Sequence, residues 1–158
     1  MTESLKFESM EEALKYAIKQ EELAAALYRH LAKNAKTIQA KEEFSALVEM
    51  EETHKKNLEN FSFEEYEKKN KEVIYFNLGT TDFMPEPSDN QKLSELSYTD
   101  SLILAAKREE EAIQMYKKFA EYYKDNETLK KFFLNMVEEE KRHKYSIESK
   151  YEDVINER

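Results

Sequence analysis

Glu51 stands three residues before His54 in "EETHKK", and Glu140 stands three before His143 in "EKRH". On a helix an i,i+3 pair projects from one face, so each pair offers a carboxylate beside an imidazole, a combination suited to holding a divalent metal ion. One such pair says little: with 34 Asp and Glu among 158 residues, an acid three before a given His is about a one-in-five occurrence. The third histidine, His30, has Leu27 at that spacing and lies off any apolar stripe, so it reads as a surface residue. Repetition makes the other two informative. "AIKQEELAAALYRHLA" (17–32) lies over "AAKREEEAIQMYKKFA" (105–120) at an offset of 88, aligning Glu21 with Glu109 and Tyr28 with Tyr116. "FSALVEMEETHKK" (44–56) lies over "FLNMVEEEKRHKY" (133–145) at an offset of 89, aligning both Glu-x-x-His pairs.

The elements that carry these residues are expected to be long helices. One Gly and two Pro are too few for a many-stranded β fold, and Glu, Lys, Leu and Ala dominate. The expectation is an all-α chain: a four-helix bundle of two duplicated hairpins, forming one domain over residues 1–158. Ser9 and Glu12 make a Ser-x-x-Glu capping box before a helix over 10–34, and Thr37 precedes a second over 38–60. The third is expected over 99–125 and the fourth, opened by Asn126, over 127–156. Between helices two and three, Ser62 and Glu65 would cap a short helix through about Asn70. "VIYFNLGTTDFMPEPSDNQ" then carries the Gly and both Pro, and is expected to be irregular. This segment is long enough to run back along a helix of ~24 residues and ~36 Å. The short connections permit only antiparallel hairpins, so the bundle has one long crossover between helices two and three. Covering the bundle, or packing against a second subunit, are the two roles open to residues 71–98.

Each helix has an apolar stripe that is interrupted in the middle. The inward series of helix two reads Ala40, Phe44, Leu47, Glu51, His54, Leu58, Phe61, and that of helix four Leu129, Phe133, Met136, Glu140, His143, Ile147, Tyr151. In helix one the gap falls at Glu21, favoured over Glu22; in helix three it falls at Glu109, favoured by stripe and repeat over Glu110 and Glu111. The runs "REEEA" and "VEEEKR" otherwise read as solvated charge, with one inward Glu each. Four carboxylates and two imidazoles therefore converge near mid-bundle. A buried ion costs several kcal/mol even after relaxation, so the cluster needs counter-charge. Two divalent cations balance four carboxylates, with neutral imidazoles completing the coordination. Oxygen and nitrogen donors without thiolate suit two iron ions, with manganese the alternative, better than a structural zinc.

A net charge of −9 and the lack of a basic patch argue against nucleic acid as a partner. No Cys means no disulfide and no four-cysteine iron site within this chain. No apolar run approaches the ~20 residues that cross a bilayer, and "MTESLKFESM" lacks the regions of a signal peptide, so the expected location is cytoplasmic with no membrane role.

With "EMEETHKK", "VEEEKRHK" and a Tyr seven residues after the first-helix Glu, the chain resembles the ferritin-like superfamily, and within it the rubrerythrin-type di-iron proteins. The resemblance covers the four helices. It implies that Glu51 and Glu140 bridge the two metals, that Glu21 and Glu109 are terminal ligands, and that His54 and His143 serve one metal each. Tyr28 and Tyr116 would hydrogen-bond the opposing ligand carboxylates, with plain core packing the competing reading. It also implies an oxidoreductase acting on hydrogen peroxide or dioxygen, and a homodimer. Two features depart from rubrerythrins proper. This chain has no cysteine-bearing electron-delivery domain, so an external donor such as a rubredoxin is expected. Rubrerythrins also carry Glu-x-x-Glu on the third helix, whereas Glu109 is followed at that spacing by Ala112, which cannot serve as a moving ligand. Two further functions compete: ferroxidase-linked iron binding or storage, and a metal-free helical interaction module.

Overall fold

A computed structural model of the chain describes residues 4–7, 9–61, 74–77 and 93–157. Its helices are α1 (Met10–Lys33), α2 (Ile38–Asn60), α3 (Tyr98–Tyr122) and α4 (Glu127–Asn156). Local chemistry sets their starts. Ser9 Oγ accepts from the Glu12 amide at 3.2 Å, Thr37 Oγ1 from Ala40 at 3.0 Å, and Asn126 Oδ1 from Leu129 at 3.1 Å. The third helix starts slightly earlier than expected, because Ser97 rather than a residue near Thr99 caps it, accepting from Asp100 at 3.1 Å. It also ends three residues short of the expected Asp125: the chain turns at Tyr123 to reach the Asn126 cap.

Helices α1 and α2 form one hairpin and α3 and α4 the other. Two apolar clusters fill the ends of the bundle. One joins the start of α1 (Met10, Ala13, Ala17), the end of α2 (Leu58), the second half of α3 (Ala112 to Phe119) and the start of α4 (Leu129 to Val137). The other joins the end of α1, the start of α2, the start of α3 and Ile147 of α4. Because α2 and α3 contribute the same ends to each cluster, they run parallel. The end of α2 and the start of α3 therefore lie at opposite ends of the bundle, as one long crossover between them requires.

The segment expected to be irregular holds one strand. β1 (Ser4–Phe7) and β2 (Ile74–Asn77) pair antiparallel, with Ser4 opposite Asn77 and Phe7 opposite Ile74. The reason is compositional: "VIYF" is a run of β-branched and aromatic residues, which favours strand once a partner is within reach. Phe7, at the end of β1, is buried against Tyr16 and Phe119, with ring centroids 5.4 and 6.5 Å away. The all-α architecture thus carries a two-stranded ribbon. The short helix expected after Ser62 lies outside the described residues. Among those described, no helix is long and apolar enough to cross a membrane.

Candidate metal centre

The polar belt between the two apolar clusters is built from the residues that interrupt the stripes. Glu21, Glu51, Glu109 and Glu140 are fully buried, His54 is 3 % exposed, and the His143 side chain is 11 % exposed. Glu110 and Glu22, two of the three neighbours weighed against Glu109 and Glu21, point elsewhere. Glu110 pairs with Lys144 at 3.0 Å and Glu22 with Lys55 at 3.1 Å. His30 lies near the end of α1, outside the cluster, with its Nε2 3.0 Å from Asn34 Nδ2.

Distances sort the six residues into two matching sets. His54 Nδ1 lies 3.7 Å from Glu21 Oε2, 3.7 Å from Glu51 Oε2 and 2.7 Å from Glu140 Oε1. His143 Nδ1 lies 3.7 Å from Glu109 Oε2, 3.8 Å from Glu51 Oε1 and 3.9 Å from Glu140 Oε2. Glu51 and Glu140 therefore turn one oxygen to each imidazole, whereas Glu21 and Glu109 each serve one. The two rings stack, 5.2 Å apart at 13°. All eight inward atoms are buried without a hydrogen-bond partner: Glu21 Oε2, Glu109 Oε2, both oxygens of Glu51 and Glu140, and both Nδ1 atoms. The 2.7 Å approach of His54 to Glu140 is among them, since its geometry is not that of a hydrogen bond.

The outward atoms, by contrast, are held. Tyr28 Oη donates to Glu109 Oε1 at 2.7 Å, and Tyr116 Oη donates to Glu21 Oε1 at 2.5 Å, so each tyrosine crosses to the carboxylate of the opposite hairpin. Both phenols are pushed up by burial and by the nearby glutamates, and stay protonated donors. A satisfied outer oxygen beside an orphaned inner one is what a cation ligand needs, because the outer bond fixes the carboxylate. Buried polar atoms left unpaired cost about 1–3 kcal/mol each, so eight of them in one place call for a bound group. Six carboxylate oxygens and two imidazole nitrogens, four ligand atoms in each set, suit divalent metal ions.

Without metal, protons take the place of that charge. Burial, reinforced by the charges of Glu21 and Glu109, pushes Glu51 up to about 8. Glu140 is raised well above the carboxylate range by burial and by Glu51 and Glu109. Burial opposes ionisation of Glu21 too, but contact with Glu51 and His54 and the charge of Arg108 outweigh it and hold this carboxyl at about 2. Glu109 is lowered likewise, against its burial, by Glu140 and His143. Burial acts to lower both histidines, but their carboxylate neighbours raise His54 far above its ordinary value and His143 to about 9. Without metal, Glu51, Glu140, His54 and His143 are thus the groups drawn toward their protonated forms.

Two residues enter the centre that the sequence reading left out. Arg108 is 2 % exposed, with Nη2 3.8 Å from Glu21 Oε2, 3.7 Å from Glu51 Oε2 and 3.3 Å from the Gln20 carbonyl, to which it donates. Glu139, read as solvated, is 38 % exposed, and its Oε2 takes the His54 Nε2–H at 2.8 Å. Spacing carried a signal for both. Arg108 is three after Ala105 and four before Ala112, and Glu139 is three after Met136 and four before His143, so each borders the inward stripe.

Known proteins resemble the chain in fold and in sequence family. A solved structure from Thermotoga maritima, described as a ferritin-like diiron-carboxylate protein, matches with a TM-score of 0.75 over 92% of this chain and 96% of that one, at 20% identity. That likeness is one of fold. No curated protein matches the chain. The family model described as Rubrerythrin matches residues 12–96 and 100–158, nearly the full length, and the chain belongs to the rubrerythrin family.

Proposed function

We propose that the chain holds two iron ions at Glu21, Glu51, His54, Glu109, Glu140 and His143 and works as an oxidoreductase, reducing peroxide or dioxygen with electrons from a separate donor. One observation carries this reading: eight buried, unpaired donor atoms fall into two sets of four that share Glu51 and Glu140. The charge arithmetic supports it. In the metal-free centre His54, His143 and Arg108 carry three positive charges against Glu21, Glu109 and Glu139. Exchanging the four protons on Glu51, Glu140, His54 and His143 for two divalent ions leaves that balance unchanged.

Reduced iron would supply the electrons that cleave an O–O bond. The protein's own contribution is positional. Tyr28 and Tyr116 clamp the terminal carboxylates, and the apolar clusters on either side keep bulk water from the centre. Ala112, buried one turn after Glu109, offers no carboxylate to exchange with it, so turnover would proceed with Glu109 held in place. An acidic surface would favour a donor protein with a basic face.

The test is metal content after anaerobic loading with ferrous iron, for the wild type and for a Glu51→Ala, His143→Ala double variant. About two irons per wild-type chain, lost in the variant, are expected from the donor count. Loaded protein should then be oxidised by peroxide faster than free ferrous ion. No stoichiometric iron in the wild type would end the reading, and oxidation of ferrous iron well beyond two per chain would replace it with a ferroxidase role.

A further inference from the structure

Among the positions at which the duplicated hairpins differ, Arg108 and Glu139 bring charge against the ligand residues, and both act on the same half. Arg108 corresponds in the repeat to Gln20, and Glu139 corresponds to Met50. Arg108 Nη2 approaches Glu21 Oε2 and Glu51 Oε2, the same two oxygens that face His54 Nδ1. On the His143 side, the repeat has Gln20 where α3 has Arg108, a neutral residue that is only half-buried. Behind the imidazoles the asymmetry has the opposite sign. His54 has the Glu139 carboxylate on its Nε2, whereas His143 has the position of an exposed methionine, Met50.

We propose that the two half-sites bind metal unequally and in order: the His143 half fills first and tightly, and Arg108 makes the His54 half the weaker, later one. This rests on the two-metal reading above. Arg108 and Glu139 cancel in net charge, so burial and position decide between them. The guanidinium is buried and lies against the ligand oxygens themselves, where nothing screens it. The carboxylate is over a third exposed and sits on the far side of the ring, where solvent screens its charge. A cation entering the His54 half must displace or share the oxygens that Arg108 already faces; one entering the His143 half meets the guanidinium only across the shared Glu51. Glu139 then has a separate task. It fixes the His54 tautomer so that Nδ1 faces inward, keeping the weaker half able to bind at all.

The experiment titrates metal-free protein anaerobically with cobalt(II), followed by visible absorption and calorimetry. The wild type should bind two ions in resolved steps, the second weaker by about tenfold or more, as expected of one unscreened charge at this range. Arg108→Gln, which restores the residue of the other hairpin, should tighten the second step by about tenfold and leave the first within about threefold, so that the steps merge. A merely structural role for Arg108 would instead weaken both steps together, and that result overturns the proposal. A second pair of variants keeps Arg108 in place and so does not depend on folding without it. His54→Ala should retain the tight step, and His143→Ala should lose it; the reverse, or equal loss, overturns the order. Two cobalt ions bound with equal affinity by the wild type would reject this inference alone, whereas no cobalt bound would reject the metal centre as well.

Discussion

The aromatic end of the bundle and its centre use the same four helices, yet opposite physics holds them. At the end, Phe133 lies 5.3 Å from Phe119 and 6.0 Å from Tyr123 by ring centroid and is 1 % exposed; every neighbour there gains from losing water. At the centre, about two turns further along α4, Glu140 is just as buried among three other carboxyls and gains nothing from it. The end stabilises the fold, and the centre draws on that stability to hold donor atoms where water would otherwise satisfy them. Function and folding energy are thus separated along each helix rather than between domains.

The largest effect that tests this separation comes from the apolar end. Phe133→Ala should lower the unfolding free energy by about 3–5 kcal/mol, read from urea denaturation of the metal-free chain. The metal-to-chain ratio of the fraction still folded in the cold should stay at the wild-type value. A fall in that ratio in step with stability would mean that end and centre are one unit.

A proton exchange sharpens the comparison next. Glu51 and His143 bind protons more tightly in the folded chain than when unfolded, with values near 8 and 9. The folded state therefore holds extra protons, and stability of the metal-free chain falls as pH rises. For Glu51 the loss runs from its ordinary carboxylate range up to about 8, and for His143 from about 6.5 to about 9, at up to about 1.4 kcal/mol per pH unit for each proton. Metal binding requires those protons to leave, so metal affinity should rise over the same window. Melting temperatures of metal-free and loaded protein should diverge between pH 6 and pH 8, and loading at pH 7 in weak buffer should release about four protons per pair of ions. Parallel melting curves would show that the centre does not titrate as a unit.

Smaller effects are expected from the tyrosines. Tyr28→Phe and Tyr116→Phe each leave one outer carboxylate oxygen buried and unpaired, on Glu109 and Glu21 respectively. Metal affinity should fall by about 10–100-fold in each, measured by competition with a chelator, while the aromatic body keeps the core filled. Affinity unchanged in both would reduce these residues to packing.

What could be read in the sequence follows the same division. Periodicity reports what a helix turns inward, so the stripes named Phe44, Leu58, Phe133 and Ile147, and the gaps named the four glutamates and two histidines that converge. Caps are local as well, and Ser9, Thr37 and Asn126 act as helix starts within one turn of themselves. Choice of partner across the bundle is not local. Arg108 and Glu139 are charged residues at the border of a stripe in a chain where 37% of residues are charged, and only the approach of another helix turns them in. The ribbon fails for a related reason: β2 exists because β1, some seventy residues earlier, lies beside it, and neither four-residue run would hold a strand alone.

The mildest test of the separation is a cap. Thr37 is exposed, and its Oγ1 satisfies the Ala40 amide at the start of α2, nearly four turns before Glu51. Thr37→Ala removes that acceptor and should cost about 1 kcal/mol, a loss set by the helix end and independent of whether metal is present. Because Phe44 and Leu47 lie packed between the cap and the centre, fraying of the first turn stops before it reaches Glu51. The unfolding midpoint in urea should therefore drop equally in metal-free and loaded protein, with cobalt affinity unchanged. A loss of affinity from so remote a change would mean that α2 transmits disorder along its length, and that the centre depends on the whole hairpin rather than on the turn that carries it.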